Sequence, residues 1–373
     1  MKKFQKKIPV ALLVLSLFLF GGWGSAGHKI INGSAKRNFP VKMDFLSLWG
    51  DSLAIHASDA DNRKSYDPDE DPKHYIDIDT YSDFNKYGRI IQNYDSIVAV
   101  FGKSFVIDQG ILPWAILNTC DSLTEAFKKR EWHKAMLIAS DLGHYVGDAH
   151  MPLHITKNYN GQYTGQSGVH SRYESDMINK YSSQISYAKD SVMFVSDVTG
   201  YVFGMVYGNY RYVDSVLAAD KSAKASAGSA SGNTYYQKLW ENSGAFTILL
   251  LKNASASFAN LVYTCWVNAG SPVFFIDFVE TDAPGYHGFR LNQNFPNPFN
   301  PETIISFYLE EESFVNLKVF DAAGREAACL LNNRLSAGTH SAVFNVGNLP
   351  SGVYFYKLMA GNKFAVKKLL ILK

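Results

Sequence analysis

The stretch DLGHYVGDAHMPLH, residues 141 to 154, restricts what this chain can fold into more than any other feature. His144 and Asp148 are four residues apart, so on a helix they lie one turn above each other and face one cavity. Pro152 ends that helix, and His154 follows from the loop, placed to re-enter the same cavity. Further on, GVHSRYESDM repeats the arrangement with His170 and Glu174. A lone pair of this kind is usually a solvated contact on a helix face. Two pairs, an extra histidine and a mostly apolar setting instead describe a cluster of nitrogen and oxygen donors, which suits Zn²⁺ better than Mg²⁺ or Ca²⁺. His133 and His150 find no second partner and are read as non-ligands.

The surroundings of this cluster read as helical. From about Trp23 to Gly270, segments such as LTEAFKKREWHKAMLIASDLGHYVGDA and AFTILLLKNASASFANLVYTCWVNAG carry apolar residues at spacings of three and four. Between them ADNRKSYDPDEDPKH, NYNGQYTGQSG and DKSAKASAGSASGN read as loops, the last of low complexity. The 373 residues, 47% hydrophobic, suffice for one sizeable core and a smaller domain. Past about residue 275 the texture changes to short alternating runs, TIISFYL, FVNLKVFD, SAVFNV, GVYFYKLMA and FAVKKLLILK, which predict a small β-sandwich.

The N-terminus, MKKFQKKIPVALLVLSLFLFGG, has the layout of a secretory signal peptide over residues 1–22. Its apolar run is short for spanning a membrane, and no second run of that kind follows. Without Lys2, Lys3, Lys6 and Lys7, 32 Lys and Arg stand against 34 Asp and Glu, a net charge of about −2. A global basic footprint for nucleic acid is therefore missing. Cys120, Cys265 and Cys329 match no metal-ligand spacing, and a Cys120–Cys265 disulfide stays open.

Two resemblances follow from ordered motifs. LNQNFPNPFNPETIISFYL and SGVYFYKLMAGNKFAVKKLLILK resemble the C-terminal sorting domain of the type IX secretion system. That implies the secretion machinery as a partner, passage through the periplasm and the outer membrane, and a secreted or cell-surface protein. The expected organisation is a signal peptide (1–22), a zinc-dependent phosphoesterase domain (23–274), a linker (275–290) and a sorting domain (291–373). The second resemblance rests on WGSAGH, HYIDID, HYVGDAHMPLH and GVHSRYESDM, which look like the trinuclear zinc phosphoesterases, comprising zinc-dependent phospholipases C and single-strand-specific nucleases. It implies an all-α catalytic domain of the phospholipase C/nuclease type ahead of the β-sandwich, with three Zn²⁺ per chain.

Carried over by position, the resemblance implies one zinc on Asp59, His74, His144 and Asp148, and a second on His154, His170 and Glu174. The third takes the Trp23 main-chain amine and carbonyl with His28, sharing Asp148, which requires cleavage between Gly22 and Trp23. Asp61 is the rival of Asp59, which is preferred on its spacing to His74 and is also the expected catalytic proton acceptor. Tyr159, Tyr163, Tyr207, Tyr210 and Tyr212 are candidates for substrate recognition by stacking on a base or caging a choline cation. Glu174 and the absence of basic excess favour phospholipid as substrate. Single-stranded nucleic acid is the alternative, and a catalytically inactive surface protein the second.

Overall fold

The computed structural model describes residues 23–40, 43, 46, 49–272 and 289–372, so the expected signal peptide and nearly all of the expected linker lie outside the described residues. The first part is helical and the second is built of strands. Each has its own cluster of buried apolar side chains.

The long helices of the first part are α1 (Gly24–Ala35), α2 (Leu112–Lys128), α3 (Trp132–Ala149), α4 (Val198–Tyr210), α5 (Val213–Ala227) and α6 (Gly232–Asn268). The continuous helical pattern around LTEAFKKREWHKAM divides into two helices, because Arg130 adopts a left-handed φ of 56° that α-helix cannot continue through. Every residue of α3 from Leu142 to Ala149 is buried. It packs on α1, α2 and α6, and so carries the histidine-rich stretch into the middle of the domain. Two glycines permit this approach. A Cβ on Gly143 would stand 2.2 Å from Asn32 Oδ1, and one on Gly147 would stand 3.0 Å from His28 Nδ1. Asn32, brought this close, ties α1 to its neighbours through Nδ2 bonds to the carbonyls of Leu53 and Ser140, both 3.1 Å.

Two expectations are corrected. The low-complexity DKSAKASA is not a loop but the second half of α5, with only Gly228–Ser231 left as the turn. Alanine and lysine favour helix, and Ala219, Asp220 and Ala223 are buried. A further apolar helix also exists: α6 is long and apolar enough to cross a membrane, but 61% of its most apolar window is buried inside the protein. It is the central packing helix.

The second part is a sandwich of two antiparallel sheets, ordered β1-β2-β5 and β4-β3-β6-β7. The strands are β1 (Arg290–Leu291), β2 (Glu302–Leu309), β3 (Ser313–Asp321), β4 (Glu326–Leu335), β5 (Gly338–Asn345), β6 (Gly352–Ala360) and β7 (Lys363–Ile371). Alternate residues of β2, β3 and β6 meet in the core, among them Ile305, Phe307, Leu317, Tyr356 and Leu358. Strand β4 escapes the alternation rule because its register against β3 shifts after Leu317 and again after Val319, which breaks the two-residue repeat. The proline-rich opening has a mechanical role. The Asn294 N–H donates to Tyr356 Oη at 2.7 Å, Asn297 Oδ1 accepts from the Leu370 N–H at 2.8 Å, and Phe299 exchanges main-chain bonds with Leu370 and Leu372.

Candidate metal centre

Six separate segments deliver the site. Helix α1 brings His28, the short helix Asp59–Arg63 brings Asp61, the 3₁₀ turn Asp71–His74 brings His74, and α3 brings His144 and Asp148. The turn Pro152–His154 and the segment Val169–Met177 add His154, His170 and Glu174. The segment after His170 is not the regular helix that four-residue spacing suggests. Arg172–Met177 forms a π turn, a distortion often found at functional sites.

The donors fall into three sets whose ligand atoms lie within 4.8 Å of one another: His28, His144 and Asp148; Asp61, His74 and His144; His154, His170 and Glu174. Asp148 joins them. Its Oδ1 is 3.4 Å from His28 Nε2 and 3.3 Å from His154 Nδ1, while Oδ2 is 3.1 Å from His74 Nδ1 and 3.4 Å from His144 Nε2. In the remaining set, Glu174 Oε2 is 3.3 Å from His154 Nε2 and 3.2 Å from His170 Nε2.

Three of the histidines are oriented in the same way. Nδ1–H of His144 donates to the Ala57 carbonyl at 2.7 Å, that of His154 to the His74 carbonyl at 2.7 Å, and that of His170 to the Tyr159 carbonyl at 3.1 Å. Each bond fixes the tautomer and turns a bare Nε2 inward. His28 lies stacked on His144, ring centroids 3.7 Å apart. The buried His28 nitrogens, Asp148 Oδ1 and Glu174 Oε2 face these neighbours with no hydrogen-bond geometry. Orphaned buried polar atoms are costly, and a cation among them satisfies them together, so the residues present fit zinc.

The buried donors shift one another's charge states. Burial, then the neighbouring His144, lowers the His28 pKa and favours its neutral form. Asp148 is fully buried, which opposes ionisation, yet His144 and His154 hold its carboxyl well below the usual range. His144 is raised to about 9 despite burial, by Asp148 and Asp61. Asp61 is held below the usual range against its own desolvation, by His144 and Lys64.

Of Asp59 and its rival Asp61, the structure brings Asp61 to the cluster. Asp59 points away from the cluster and binds His56, Oδ2 to Nδ1 at 2.6 Å, in a partly exposed pair. Asp61 Oδ1 instead stands 3.6 Å from His74 Nδ1 and 3.5 Å from His144 Nε2. Two residues of helix reverse the direction of a side chain, and spacing to His74 could not resolve that. Trp23 is buried, its Nε1–H donating to the Gly147 carbonyl at 2.8 Å and its ring 5.8 Å from that of Tyr173. It thus sits between the neighbours of Asp148 and Glu174, while its carbonyl accepts the Gly27 N–H at 3.1 Å. Buried His150 belongs to none of the three sets and donates to the Val146 carbonyl; His133 is exposed.

Sequence reasoning missed Glu70. It is 1% exposed, 3.4 Å from His74 Nε2, and is held by Lys73 at 2.7 Å, by Arg63 at 3.3 Å and by the Tyr145 hydroxyl. The signal was present as Glu70 and His74 at four spacing, hidden inside an acidic loop. Beside the donors lies a cavity of about 310 Å³, whose wall includes Asp71, Tyr75, Asp77, Asp108 and Tyr159. Burial, with help from Asp79, pushes the Asp77 carboxyl up to about 7. Of the tyrosines expected at the substrate site, Tyr159 lines this wall and Tyr163 is 72% exposed. Tyr207 and Tyr210 pack on Phe84, and Tyr212 packs on Phe246.

Comparison with known proteins bears mainly on the second part. No curated protein sequence matches the chain. Among solved structures, the alpha toxin from Clostridium absonum is similar at 12% identity, covering 93% of this chain and 95% of that one with a TM-score of 0.41. The Clostridium perfringens alpha-toxin from avian strain SWCP is similar at 10% identity, covering 95% and 98%, with a TM-score of 0.44. Residues 293–372 match the family model described as the secretion system C-terminal sorting domain, so the β-sandwich is a type IX sorting module and marks the protein for export to the cell surface or beyond.

Proposed function

We propose that the helical part, residues 23–274, is a zinc-dependent phosphoric diester hydrolase, a phospholipase C acting on phospholipid, with three zinc ions per chain. The observation that carries this reading is the convergence of three donor sets on one fully buried carboxylate, Asp148. Asp61, His74, His144 and Asp148 would hold one ion, His154, His170 and Glu174 another, and His28, Asp148 and the Trp23 main chain a third. Zinc held there supplies Lewis acidity, acidifying water and withdrawing charge from phosphoryl oxygens.

The protein's own groups do the rest. Asp61, at the edge of the cluster and 15% exposed at its side chain, takes the role of proton acceptor first expected of Asp59. Asp71, Asp77 and Asp108 with Tyr75 and Tyr159 give the cavity an acidic and aromatic wall. Such a wall suits a cationic head group on a phosphodiester and repels a polyanionic strand. Its one lysine, Lys64, is paired with Asp61 at 2.7 Å.

Purified mature protein assayed side by side on phosphatidylcholine and on single-stranded DNA tests the substrate. Turnover of lipid is expected, and turnover of DNA alone would overturn the phospholipase reading in favour of a nuclease. Elemental analysis should find about three zinc ions, with activity lost on chelation. Removing residues 291–373 should leave zinc content and hydrolysis intact and stop export.

A further inference from the structure

We propose that Cys120 and Cys265 form a disulfide in the exported protein, one that closes a loop carrying five of the candidate metal ligands. Cys120 lies on α2 and Cys265 on α6, helices that pack along each other, and both side chains are buried. Cys265 Sγ is 3.4 Å from the Cys120 carbonyl oxygen. The neighbouring Cys265 thiol, and then burial, push the Cys120 thiol well above its ordinary range. Both line a cavity of about 760 Å³ with Trp114, Asn118 and Thr264, so the sulfurs have room to adjust on bonding. Cys329 is no competitor, since it is exposed on β4 of the sorting module.

Export supplies the condition, because disulfides persist outside the reducing cytoplasm. The reaction is thiol–disulfide exchange with an external disulfide oxidant. One cysteine thiolate attacks an oxidant sulfur and releases one thiol, and the second cysteine then displaces the other. Two S–H bonds are lost and one S–S bond forms, with two electrons and two protons ending on the two thiols of the reduced oxidant. The loop so closed contains His144, Asp148, His154, His170 and Glu174. Cross-linking it restricts the unfolded chain and keeps these donors near one another independently of any ion.

The test is alkylation of full-length mature protein from the medium of secreting cells, denatured with and without prior reduction, followed by intact mass. One alkylated cysteine before reduction, mapping to Cys329, and three after it are expected. Three before reduction, or a bond that includes Cys329, overturns the proposal. A melting comparison gives a second measure on the protein as purified. Reduction should lower the wild-type Tm by about 5 °C and leave a Cys120→Ala/Cys265→Ala variant unmoved; an equal shift in both would also overturn it.

Discussion

The two halves of the candidate metal centre are assembled in opposite ways. The half made of His154, His170 and Glu174 comes from about twenty consecutive residues and uses a carboxylate that serves only that set. The half made of His28, Asp61, His74, His144 and Asp148 is drawn from four segments, and its central carboxylate meets four histidines. A local half can be lost alone. An assembled half with a shared hub fails as a whole, and its integrity depends on how α1 and α3 pack.

The sharpest break in this comparison should come from Asp148→Ala against Glu174→Ala. We expect the first to strip nearly all zinc and activity, and the second to remove about one ion while the other donors keep theirs. Equal zinc contents by elemental analysis would show that Asp148 is not a hub. Next in size, Asp61→Ala should reduce turnover by about 100-fold or more, in the range of a lost general base, whereas Asp59→Ala stays near wild type. Reversed magnitudes in steady-state kinetics would restore Asp59.

A smaller effect is expected from the support of the assembled half. Glu70→Gln should weaken zinc binding by about 10–100-fold, read by competition with a chelator, because it disturbs the partner of His74 without touching the local half. Unchanged affinity would make Glu70 an anchor for Arg63 and Tyr145 only. The smallest effect concerns the adjoining wall. Asp77 keeps its proton to about 7 when folded, whereas the unfolded chain releases it near 4, so its contribution to stability is complete at low pH and lost as pH rises through that window. Asp77→Asn should therefore match wild type at pH 4 and exceed it at pH 8 by about 1–2 kcal/mol, less than the whole shift because the group is partly exposed. Melting curves at both pH values decide it, and a variant less stable at pH 8 contradicts the sign.

The same contrast explains what the sequence disclosed. The local half was legible because all its donors lie within one stretch and repeat a four-residue spacing. The partners of Asp148 on α3 were legible for the same reason, but the choice between Asp59 and Asp61 depends on which way a short helix enters the site. Glu70, four residues before His74, did not stand out from the other acids of its loop, because its meaning comes from Arg63, Tyr145 and His74 meeting around it. In the fold, DKSAKASA misled because its composition resembles a linker, while burial of Asp220 against Arg172, Tyr235 and Gln166 makes it helix. Strand β4 was missed where its register slips.

The π turn at Arg172–Met177 gives the local half a requirement of length as well as spelling. A turn of this kind holds a residue more than α-helix does, and that surplus is part of how Glu174 comes to rest against His154 and His170. A descendant sequence that lost one residue just after Glu174 would wind back to ordinary pitch while still reading His-x-x-x-Glu. The deletion could fall on a residue that binds nothing. Two chains with the same letters at these positions therefore need not hold the same ion, and counting ligand letters across an alignment overestimates how many such sites survive.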